Sequence, residues 1–258
     1  MKNLQVEKLF NFKDKVVLIT GSNGQLGSSF SKLFLAQGAR VIGLDKTKCE
    51  VKNKNFIFYP TDITIRKIVE ENIQDIIKKF KRIDVIINNA GVSVFTKFDK
   101  RTEEELDKTI NVNLKGTLNI INSYVKIHKN KKLIKSNIIN IGSVYGLVSP
   151  DFRIYGKKDN FNSEIYGATK ASIIQLTKYY SVILSKLNIN MNCLSPGGIY
   201  SKNKPQSSKF LKRYNNRVPM GNMAKPEDLH TGILFLASDK SKHIKGQNII
   251  IDGGLSVW

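Results

Sequence analysis

Cysteine, tryptophan, proline and long apolar runs are scarce in this sequence. Its 258 residues include two cysteines, one tryptophan and six prolines. Cys49 and Cys193 form neither a metal-ligand spacing nor a disulfide framework, so we expect no metal site and a reducing, cytoplasmic setting. No apolar stretch approaches the roughly 18 residues that span a bilayer, and residues 1–12 lack a signal-peptide pattern. The sequence therefore predicts a protein that has no membrane partner.

Acidic residues are half as numerous as basic ones. The chain has 42 lysines and arginines against 21 aspartates and glutamates, which gives a net charge of +21. A strongly basic protein can bind nucleic acid by releasing counterions from the phosphates. Here, however, the lysines are spread over every segment, and neither an arginine-rich stripe nor a recognisable nucleic-acid-binding module is present. We therefore expect no nucleic-acid partner, and we interpret the charge as a field that attracts anionic ligands.

Short apolar segments rich in β-branched residues alternate with amphipathic segments of helical period. This order predicts an α/β fold, a Rossmann-like, doubly wound parallel sheet of about seven strands with helices on both faces. Neither an internal repeat nor a low-complexity linker divides the chain, so residues 1–258 are expected to form a single domain. Long helices are predicted over 111–127 and 163–187. The predicted strands cover 15–20, 40–44, 56–59, 83–87, 138–141, 189–195 and 247–251.

A glycine-rich segment follows the first predicted strand and precedes a helical pattern. A strand, a tight glycine turn and a helix N-terminus together form a site for the pyrophosphate of a dinucleotide. Gly21 permits the turn, Gly24 lets the backbone approach the pyrophosphate, and Gly27 lets the helix pack close to the strand. The flanking strand and helix argue against an ordinary loop. The segment reads Gly21-Ser22-Asn23-Gly24-Gln25-Leu26-Gly27.

Asp45 ends the second predicted strand, where an acidic side chain accepts hydrogen bonds from the adenosine ribose. Its charge would also repel a 2′-phosphate, so we expect NAD rather than NADP as the cofactor. Two alternatives stay open, because Lys46 could receive the phosphate of NADP and Asp45 could be a plain turn residue. After the fourth strand, Asn88-Asn89-Ala90-Gly91 supplies amides and a glycine as a wall for the ribose or the adenine.

Ser143, Tyr166 and Lys170 form a candidate proton-transfer group. Ser143 follows the apolar run 138–141, at the sheet edge where open α/β folds build their sites. Tyr166 and Lys170 are four residues apart, so they lie on one face of a helix. The ammonium stabilises the phenolate, the phenol can give or take a proton, and the serine hydroxyl can orient a substrate oxygen. Because a Tyr-x-x-x-Lys spacing also occurs by chance, it is evidence for a catalytic site only when the other motifs accompany it.

In this order and spacing, the motifs resemble those of the short-chain dehydrogenase/reductase family in its single-domain form. The resemblance covers Lys15 to Gly254 and implies an oxidoreductase that moves a hydride between NAD or NADP and a carbonyl or alcohol carbon of a small-molecule substrate. The motifs that carry it are Thr20-Gly21 to Gly27, Asp62, Asn88-Asn89-Ala90-Gly91, Asn113, Ser143, Tyr166 to Lys170, Pro196-Gly197 and Asp252-Gly253-Gly254.

The resemblance also assigns roles to particular residues. It implies that Asp62 contacts the adenine, that Asn113 supports a water chain from Lys170, and that Pro196 and Gly197 line the nicotinamide. The implied catalytic residues are Asn113, Ser143, Tyr166 and Lys170. The implied cofactor-binding residues are Gly21, Ser22, Asn23, Gly24, Gln25, Leu26, Gly27, Asp45, Lys46, Asp62, Ile63, Asn89, Ala90, Gly91, Tyr166, Lys170, Pro196, Gly197 and Ile199.

Two features depart from the usual single-domain pattern. Gln25 stands where such members usually carry their second glycine, a form closer to the sugar-nucleotide branch of the family. Ser143 and Tyr166 are 23 residues apart, a longer gap than is usual, which indicates an inserted substrate-facing loop over 148–163. A lid is expected over 199–219, and both segments are basic. We therefore expect a polar or anionic substrate of sugar type, as in cell-surface or lipopolysaccharide sugar biosynthesis. The basic residues are Arg153, Lys157, Lys158, Lys202, Lys204, Lys209, Lys212, Arg213 and Arg217.

Other functions and an oligomeric state also follow from the sequence. One alternative is a 3-oxoacyl-carrier-protein reductase, whose acidic carrier could dock on the basic surface. Another is a non-catalytic dinucleotide-binding regulatory protein on the same fold, although such a protein has little need of the four catalytic residues together. The two long helices carry more apolar positions than one sheet face can cover, which predicts a homo-oligomer, either a tetramer or a dimer. These positions include Ile173, Leu176, Tyr180 and Ile183.

Overall fold

Seven parallel strands form one sheet in a computed structural model, which describes residues 10–48, 51–131, 133, 135–156, 161–203 and 205–258. The strand order is β3-β2-β1-β4-β5-β6-β7. The order reverses between β1 and β4, which is where doubly wound sheets bind their ligands. The predicted fold is thus confirmed. The strands are β1 Val16–Thr20, β2 Arg40–Asp45, β3 Phe56–Pro60, β4 Val85–Asn88, β5 Ser136–Ile141, β6 Ile189–Pro196 and β7 Asn248–Ile251.

Helices cover both faces of the sheet and bury it between two apolar layers. The helices are α1 Gln25–Ala36, α2 Arg66–Phe80, α3 Glu103–Ile110, α4 Thr117–Lys131, α5 Phe152–Tyr155, α6 Glu164–Ser185, α7 Ser208–Arg217 and α8 His230–Ala237. One layer lies between the sheet and α2, α4 and α6, and the other lies between the sheet and α1 and α8. Because parallel strands are covered on both faces, their sequences are apolar runs rather than alternating patterns. Every residue of β1 is buried accordingly.

The helix predicted over 111–127 belongs to a longer helical stretch that begins at Glu103. Thr102 caps its start, since the Thr102 side chain accepts from the Glu105 backbone while the Glu105 carboxylate accepts from the Thr102 backbone. A π-helical segment, Asn111–Gly116, joins α3 to α4. Apolar residues are sparse in α3, so hydrophobic periodicity placed the start too late. The capping box was the signal that marks the true start.

The helix that carries Tyr166 and Lys170 is fixed at both its start and its middle. Ser163 caps α6, and its Oγ accepts from the backbone N–H of Tyr166 at 3.2 Å. Farther along, Asn140 Nδ2 on β5 donates to Thr177 Oγ1 on α6 at 2.9 Å. Both of these side chains are buried. The two contacts therefore set the position of α6 relative to the carboxyl end of β5.

The inserted segment and the lid pack against each other. Helix α5, from the insertion, lies on α7, from the lid, and Ile154 and Tyr214 are buried in their shared apolar cluster. The carboxylate of Asp151 lies between Arg153 Nη2 at 2.7 Å and Arg217 Nε at 3.4 Å. The insertion therefore braces the lid. The basic residues Lys157, Lys158 and Lys204 lie outside the described residues.

Two kinds of feature are absent from the described part of the chain. There, no helix is long and apolar enough to cross a membrane. Within the same residues, no group of three or more His, Cys, Asp and Glu side chains is placed to hold a metal ion. Cys193 is fully buried, and burial raises the pKa of its thiol to about 11. A thiol of this kind packs as a core residue rather than reacting.

Candidate active site

A cleft of about 740 Å³ runs along the carboxyl edge of the sheet. The loops that follow β1, β2, β3, β4, β5 and β6 line it, and its centre lies where the strand order reverses. Of the predicted catalytic and cofactor-binding residues, Ser22, Gly27 and Asn113 are buried behind its wall, and all the others line it. Sequence motifs from seven separate segments therefore meet at one cleft.

The glycine-rich loop has the geometry of a phosphate cradle. Gly21 has a φ of +64°, and a Cβ there would lie 2.8 Å from the Ala90 Cα. A Cβ on Gly27 would lie 2.0 Å from the Gly21 carbonyl oxygen, so only glycine lets α1 approach the strand this closely. Gly24 is the N-cap of α1 and provides no side-chain cap. The first N–H groups of the helix therefore remain available to an anion, which fits the pyrophosphate of a dinucleotide.

Asp45 and Lys46 lie beyond the loop, at the end of the cleft expected to hold adenosine. Asp45 Oδ2 accepts from the backbone of Asn23 at 3.0 Å, and Asp45 Oδ1 accepts from the Thr47 backbone at 3.1 Å. Lys46 Nζ pairs with Asp62 Oδ2 at 2.9 Å. Partial burial raises the pKa of Asp62, but hydrogen bonds from Thr64 and Lys46 outweigh it, so this pKa lies below its usual value. Asp62 is therefore an anion that holds the neighbouring lysine.

Ser143, Tyr166 and Lys170 meet at the centre of the cleft. Lys170 is 5% exposed, and its Nζ donates to the carbonyl of Ile141 at 2.7 Å. The same Nζ lies 5.7 Å from the centre of the Tyr166 ring. Ser143 follows β5 after Gly142, and its Oγ accepts from the backbone of Tyr145 at 3.2 Å, which leaves the hydroxyl proton free to point into the cleft. The arrangement can hold a substrate oxygen beside a phenol and an ammonium.

Asn113 lies in the π-helical segment and fastens the loop after β4. Its Oδ1 accepts from the Val92 backbone N–H at 2.8 Å, and its Nδ2 donates to the Val92 carbonyl at 3.0 Å. Nδ2 also donates to Thr169 Oγ1, the residue before Lys170, at 3.1 Å. The side chain therefore connects three segments of the site. Its implied part in a water chain stays a prediction. π-Helical insertions occur frequently at functional sites.

The substrate end of the cleft is formed by residues that the sequence motifs did not single out. Ser93, Phe95, Tyr145 and Asn162 line it, and Ser93 Oγ donates to Asn162 Oδ1 at 2.6 Å. Tyr145 lies two residues after Ser143, and Asn162 directly precedes the N-cap of α6. Their proximity in sequence to Ser143 and Tyr166 was the available signal. Burial chiefly raises the pKa of Tyr145, so its hydroxyl stays protonated.

The predicted basic contacts do not line the cleft in the described part of the chain. The Arg153 side chain is 88% exposed and pairs with Asp151. Arg217 Nη2 donates to the carbonyl of Trp258 at 2.7 Å, which ties the lid to the end of the chain. The lid reaches the nicotinamide wall through a tyrosine instead, because Gly198 N donates to Tyr214 Oη at 2.6 Å. The described cations of the insertion and the lid therefore either connect these two segments to each other, as Arg217 does, or face the solvent, as Arg153 does.

Comparison with known proteins gives a consistent assignment. A family model described as enoyl-(acyl carrier protein) reductase matches residues 22–256. A 3-oxoacyl-[acyl-carrier-protein] reductase of Thermotoga maritima is 35% identical over 256 residues, which covers 94% of this chain and 98% of the relative.

Solved structures agree with this match. A short-chain dehydrogenase from Leptospira borgpetersenii with bound NAD+ is 40% identical, with a TM-score of 0.90 over 100% of this chain and 98% of that chain. A structure of ElxO with bound NADP is 28% identical, with a TM-score of 0.81 over 94% of this chain and 98% of that chain. Fold, cleft and relatives together show that this chain belongs to the short-chain dehydrogenase/reductase family and is an NAD(P)-dependent oxidoreductase.

Proposed function

We propose that the protein transfers a hydride between NAD and the carbonyl or alcohol carbon of a small hydroxylated substrate of sugar or polyol type, with Tyr166 as the general acid and base. The observation that carries this proposal is that Ser143, Tyr166 and Lys170 line the same cleft as the neutral polar side chains of its substrate end. The regulatory alternative is set aside, because the chain is an oxidoreductase of this family.

The chemistry divides between the cofactor and the side chains. When bound, the nicotinamide would supply or accept the hydride. The Ser143 hydroxyl donates to the substrate oxygen and holds it beside the Tyr166 phenol, which gives the proton in reduction and takes it in oxidation. The Lys170 ammonium, held by the Ile141 carbonyl, stabilises the phenolate that remains when the proton has left. Asn113 hydrogen-bonds to the Val92 backbone and to Thr169, the residue before Lys170, and so it positions Lys170 through Thr169.

Two features of the adenosine end favour NAD over NADP. The Asp45 carboxylate lies at the end of β2, where a 2′-phosphate would meet a like charge. Lys46, the residue that could have received this phosphate, is paired with Asp62 at 2.9 Å. The bound NAD+ in the Leptospira relative supports the same choice, whereas the NADP in ElxO makes a direct titration necessary.

Hydroxylated substrates are favoured by the groups that line the substrate end. Ser93, Tyr145 and Asn162 offer neutral hydrogen-bonding groups there, and Phe95 offers one aromatic face. The anionic form of the substrate has no support from the insertion or the lid, because no described cation of these two segments lines the cleft. A place in cell-surface sugar biosynthesis has no specific support either.

A second candidate is the reduction of a 3-oxoacyl thioester on a carrier protein. The 35% identical Thermotoga maritima reductase favours it, as does the net charge of +21, which could attract an acidic carrier.

The two candidates are separated by a substrate panel followed at the nicotinamide absorbance with NADH and with NADPH. Dihydroxyacetone, aldohexoses and acetoacetyl thioester are the discriminating members. We expect the hydroxylated carbonyls to be turned over with the higher kcat/KM. A higher kcat/KM for the thioester would establish the carrier-protein reductase instead.

A further inference from the structure

The inserted segment contributes Asn162 to the lining of the substrate end of the cleft and places Tyr155 behind that lining. Tyr155 ends helix α5, and Asn162 lies just before the N-cap of α6. Tyr155 Oη lies 3.2 Å from the Oη of Tyr145, which lines the cleft. The backbone of Asn162 also hydrogen-bonds to the Tyr155 hydroxyl. One tyrosine of the insertion therefore holds two cleft-lining residues at once.

Aromatic packing holds Tyr155 in place from two sides. The centre of its ring lies 5.6 Å from the centre of the Phe161 ring, which it meets edge-on, and 5.5 Å from the centre of the Phe210 ring on α7. Phe210 in turn stacks on Tyr214 at 5.9 Å, and Tyr214 is buried. A ring packed between two other aromatic rings is less free to rotate than a ring exposed to solvent. The Tyr155 hydroxyl is therefore a positioned group rather than a mobile one.

Asn162 has a hydrogen-bond donor to spare. Its Oδ1 is occupied, since it accepts from Ser93 Oγ at 2.6 Å. Its Nδ2 makes no hydrogen bond to any side chain or backbone group in the described part of the chain. An amide nitrogen at the wall of a cleft, with its oxygen already occupied, can donate to an oxygen of a bound molecule. The Tyr145 hydroxyl lies on the same wall.

We propose that Asn162 and Tyr145 form a subsite that recognises a hydroxyl group on the carbon next to the reacting carbonyl, and that Tyr155 is the positioning residue that holds both. The inference rests on the proposed function. A hydroxyl is the matching ligand because it can accept from Asn162 Nδ2 and donate to Tyr145 Oη. Burial chiefly raises the pKa of both Tyr145 and Tyr155, so neither tyrosine presents a charge to the substrate.

Three ketones that differ only in neighbouring hydroxyls test the subsite: acetone, hydroxyacetone and dihydroxyacetone. In each reduction the carbonyl carbon takes the hydride of NADH and its oxygen takes the proton of Tyr166, so an alcohol and NAD+ are formed. We expect kcat/KM of the wild-type enzyme to rise with each hydroxyl. A site built to bond a hydroxyl discriminates strongly against ligands that lack it, because its own polar groups are then left unpaired.

Two variants carry the test. Asn162→Ala removes the donor, and Tyr155→Phe removes the positioning hydroxyl but keeps the ring. We expect each to lower the ratio of kcat/KM for dihydroxyacetone to that for acetone by about tenfold, and mainly through KM. Tyr59→Phe is the matched control, because it also removes a bonded tyrosine hydroxyl, at 2.6 Å from Asp75 on α2. Its ratio should equal that of the wild type.

Each other outcome overturns a defined part of the argument. If Asn162→Ala and Tyr155→Phe slow all three ketones equally, the residues are merely structural and the subsite does not exist. If the wild-type enzyme reduces the three ketones equally well, no hydroxyl is recognised. If it reduces acetoacetyl thioester but none of the three ketones, the proposed substrate class itself is wrong. Melting temperatures of the variants show whether each one folds.

Discussion

Lys170 illustrates at the level of one side chain why the proton transfer belongs to Tyr166. The ammonium is 5% exposed and has one close partner in the described structure, the Ile141 carbonyl at 2.7 Å. A buried charge is costly unless an opposite charge or several hydrogen bonds compensate it. The Tyr166 ring is the nearby group that can become negative, with its centre 5.7 Å away. A phenolate formed on Tyr166 during proton transfer would therefore lie beside this positive charge.

Tyr166→Phe should fold, bind NADH and lose almost all turnover. The ring still packs, but the proton donor is gone, and general acid–base groups typically contribute about 10²–10⁴-fold to the rate. Steady-state kinetics measure the loss, and a titration of cofactor fluorescence checks NADH binding. Tyr179→Phe is the control on the same helix, since Tyr179 is 60% exposed. A fall of less than about tenfold, with chemistry rate-limiting, would contradict the assignment.

Asp45→Asn should weaken the preference for NADH over NADPH. The substitution removes the negative charge that a 2′-phosphate would meet, and like charges brought together cost substantial free energy. We expect the ratio of the two dissociation constants to move about tenfold toward NADPH. Asp62→Asn should move it in the same direction by releasing Lys46 from its 2.9 Å ion pair. Tighter binding of NADPH than of NADH to the wild-type protein would refute the argument.

At the level of elements, α4 brings a histidine into the core at the end of the sheet opposite the cleft. His128 is 3% exposed; its Nε2 lies 2.8 Å from the Leu187 carbonyl and its Nδ1 lies 3.2 Å from Tyr124 Oη. Nε2 must carry a proton to bond the carbonyl, which leaves Nδ1 as the unprotonated nitrogen of a neutral ring. Burial lowers the pKa of His128. The folded protein therefore holds this ring in its neutral form.

The protein should lose stability as the pH falls below about 6.5, where a free histidine takes up its proton. Because the folded-state pKa is lowered, the unfolded chain binds more protons in this range, and stability decreases toward the folded pKa. Melting temperatures at about pH 7.5 and pH 5.5 measure the loss. His128→Gln should make the dependence shallower, while part of it remains because burial also lowers the pKa of His230. An unchanged pH dependence in His128→Gln would exclude this origin.

At the level of the whole molecule, α6 exposes an apolar face that the sheet does not cover. Tyr179 is 60%, Val182 75% and Ile183 48% exposed. Of the positions named from the sequence, Ile173 is buried in the core and Leu176 packs against it, so these two do not contribute to the surface. Contiguous exposed apolar residues of this kind mark interaction surfaces. This exposed face therefore supports the proposal that the protein forms a homo-oligomer, either a dimer or a tetramer.

Val182→Asp should reduce the assembly to a smaller species. The side chain is exposed in the isolated chain, so the substitution spares the fold but places a charge in the proposed contact. Light scattering at micromolar concentration measures the mass. Ile65→Asp is the control, because Ile65 is also an exposed apolar residue, but at the start of α2. A monomeric wild-type protein would reject the proposal, and an unchanged mass of Val182→Asp would place the interface elsewhere.

Local sequence pattern was sufficient for the sheet, for most helix positions and for the motif residues that line the cleft, but not for its substrate end. Short apolar runs rich in β-branched residues are typical of strands covered on both faces, and Gly21 and Gly27 are required by contacts that any Cβ would break. Both kinds of signal are local, so they are legible without a structure. The helix start at Glu103 was missed because the prediction relied on hydrophobic periodicity, which is weak in α3, and did not use the capping box.

The partners of charged and polar side chains were decided by the tertiary structure. Lys46 could not be assigned to a phosphate or to an ion pair until Asp62, from another loop, was seen beside it. Arg153 was expected to face the substrate, but Asp151 turns it toward solvent. Tyr155 reaches Tyr145 because α5 packs on α7. A long side chain can choose among many partners, and its choice depends on which distant segments the fold brings within about 3 Å, the range of a hydrogen bond.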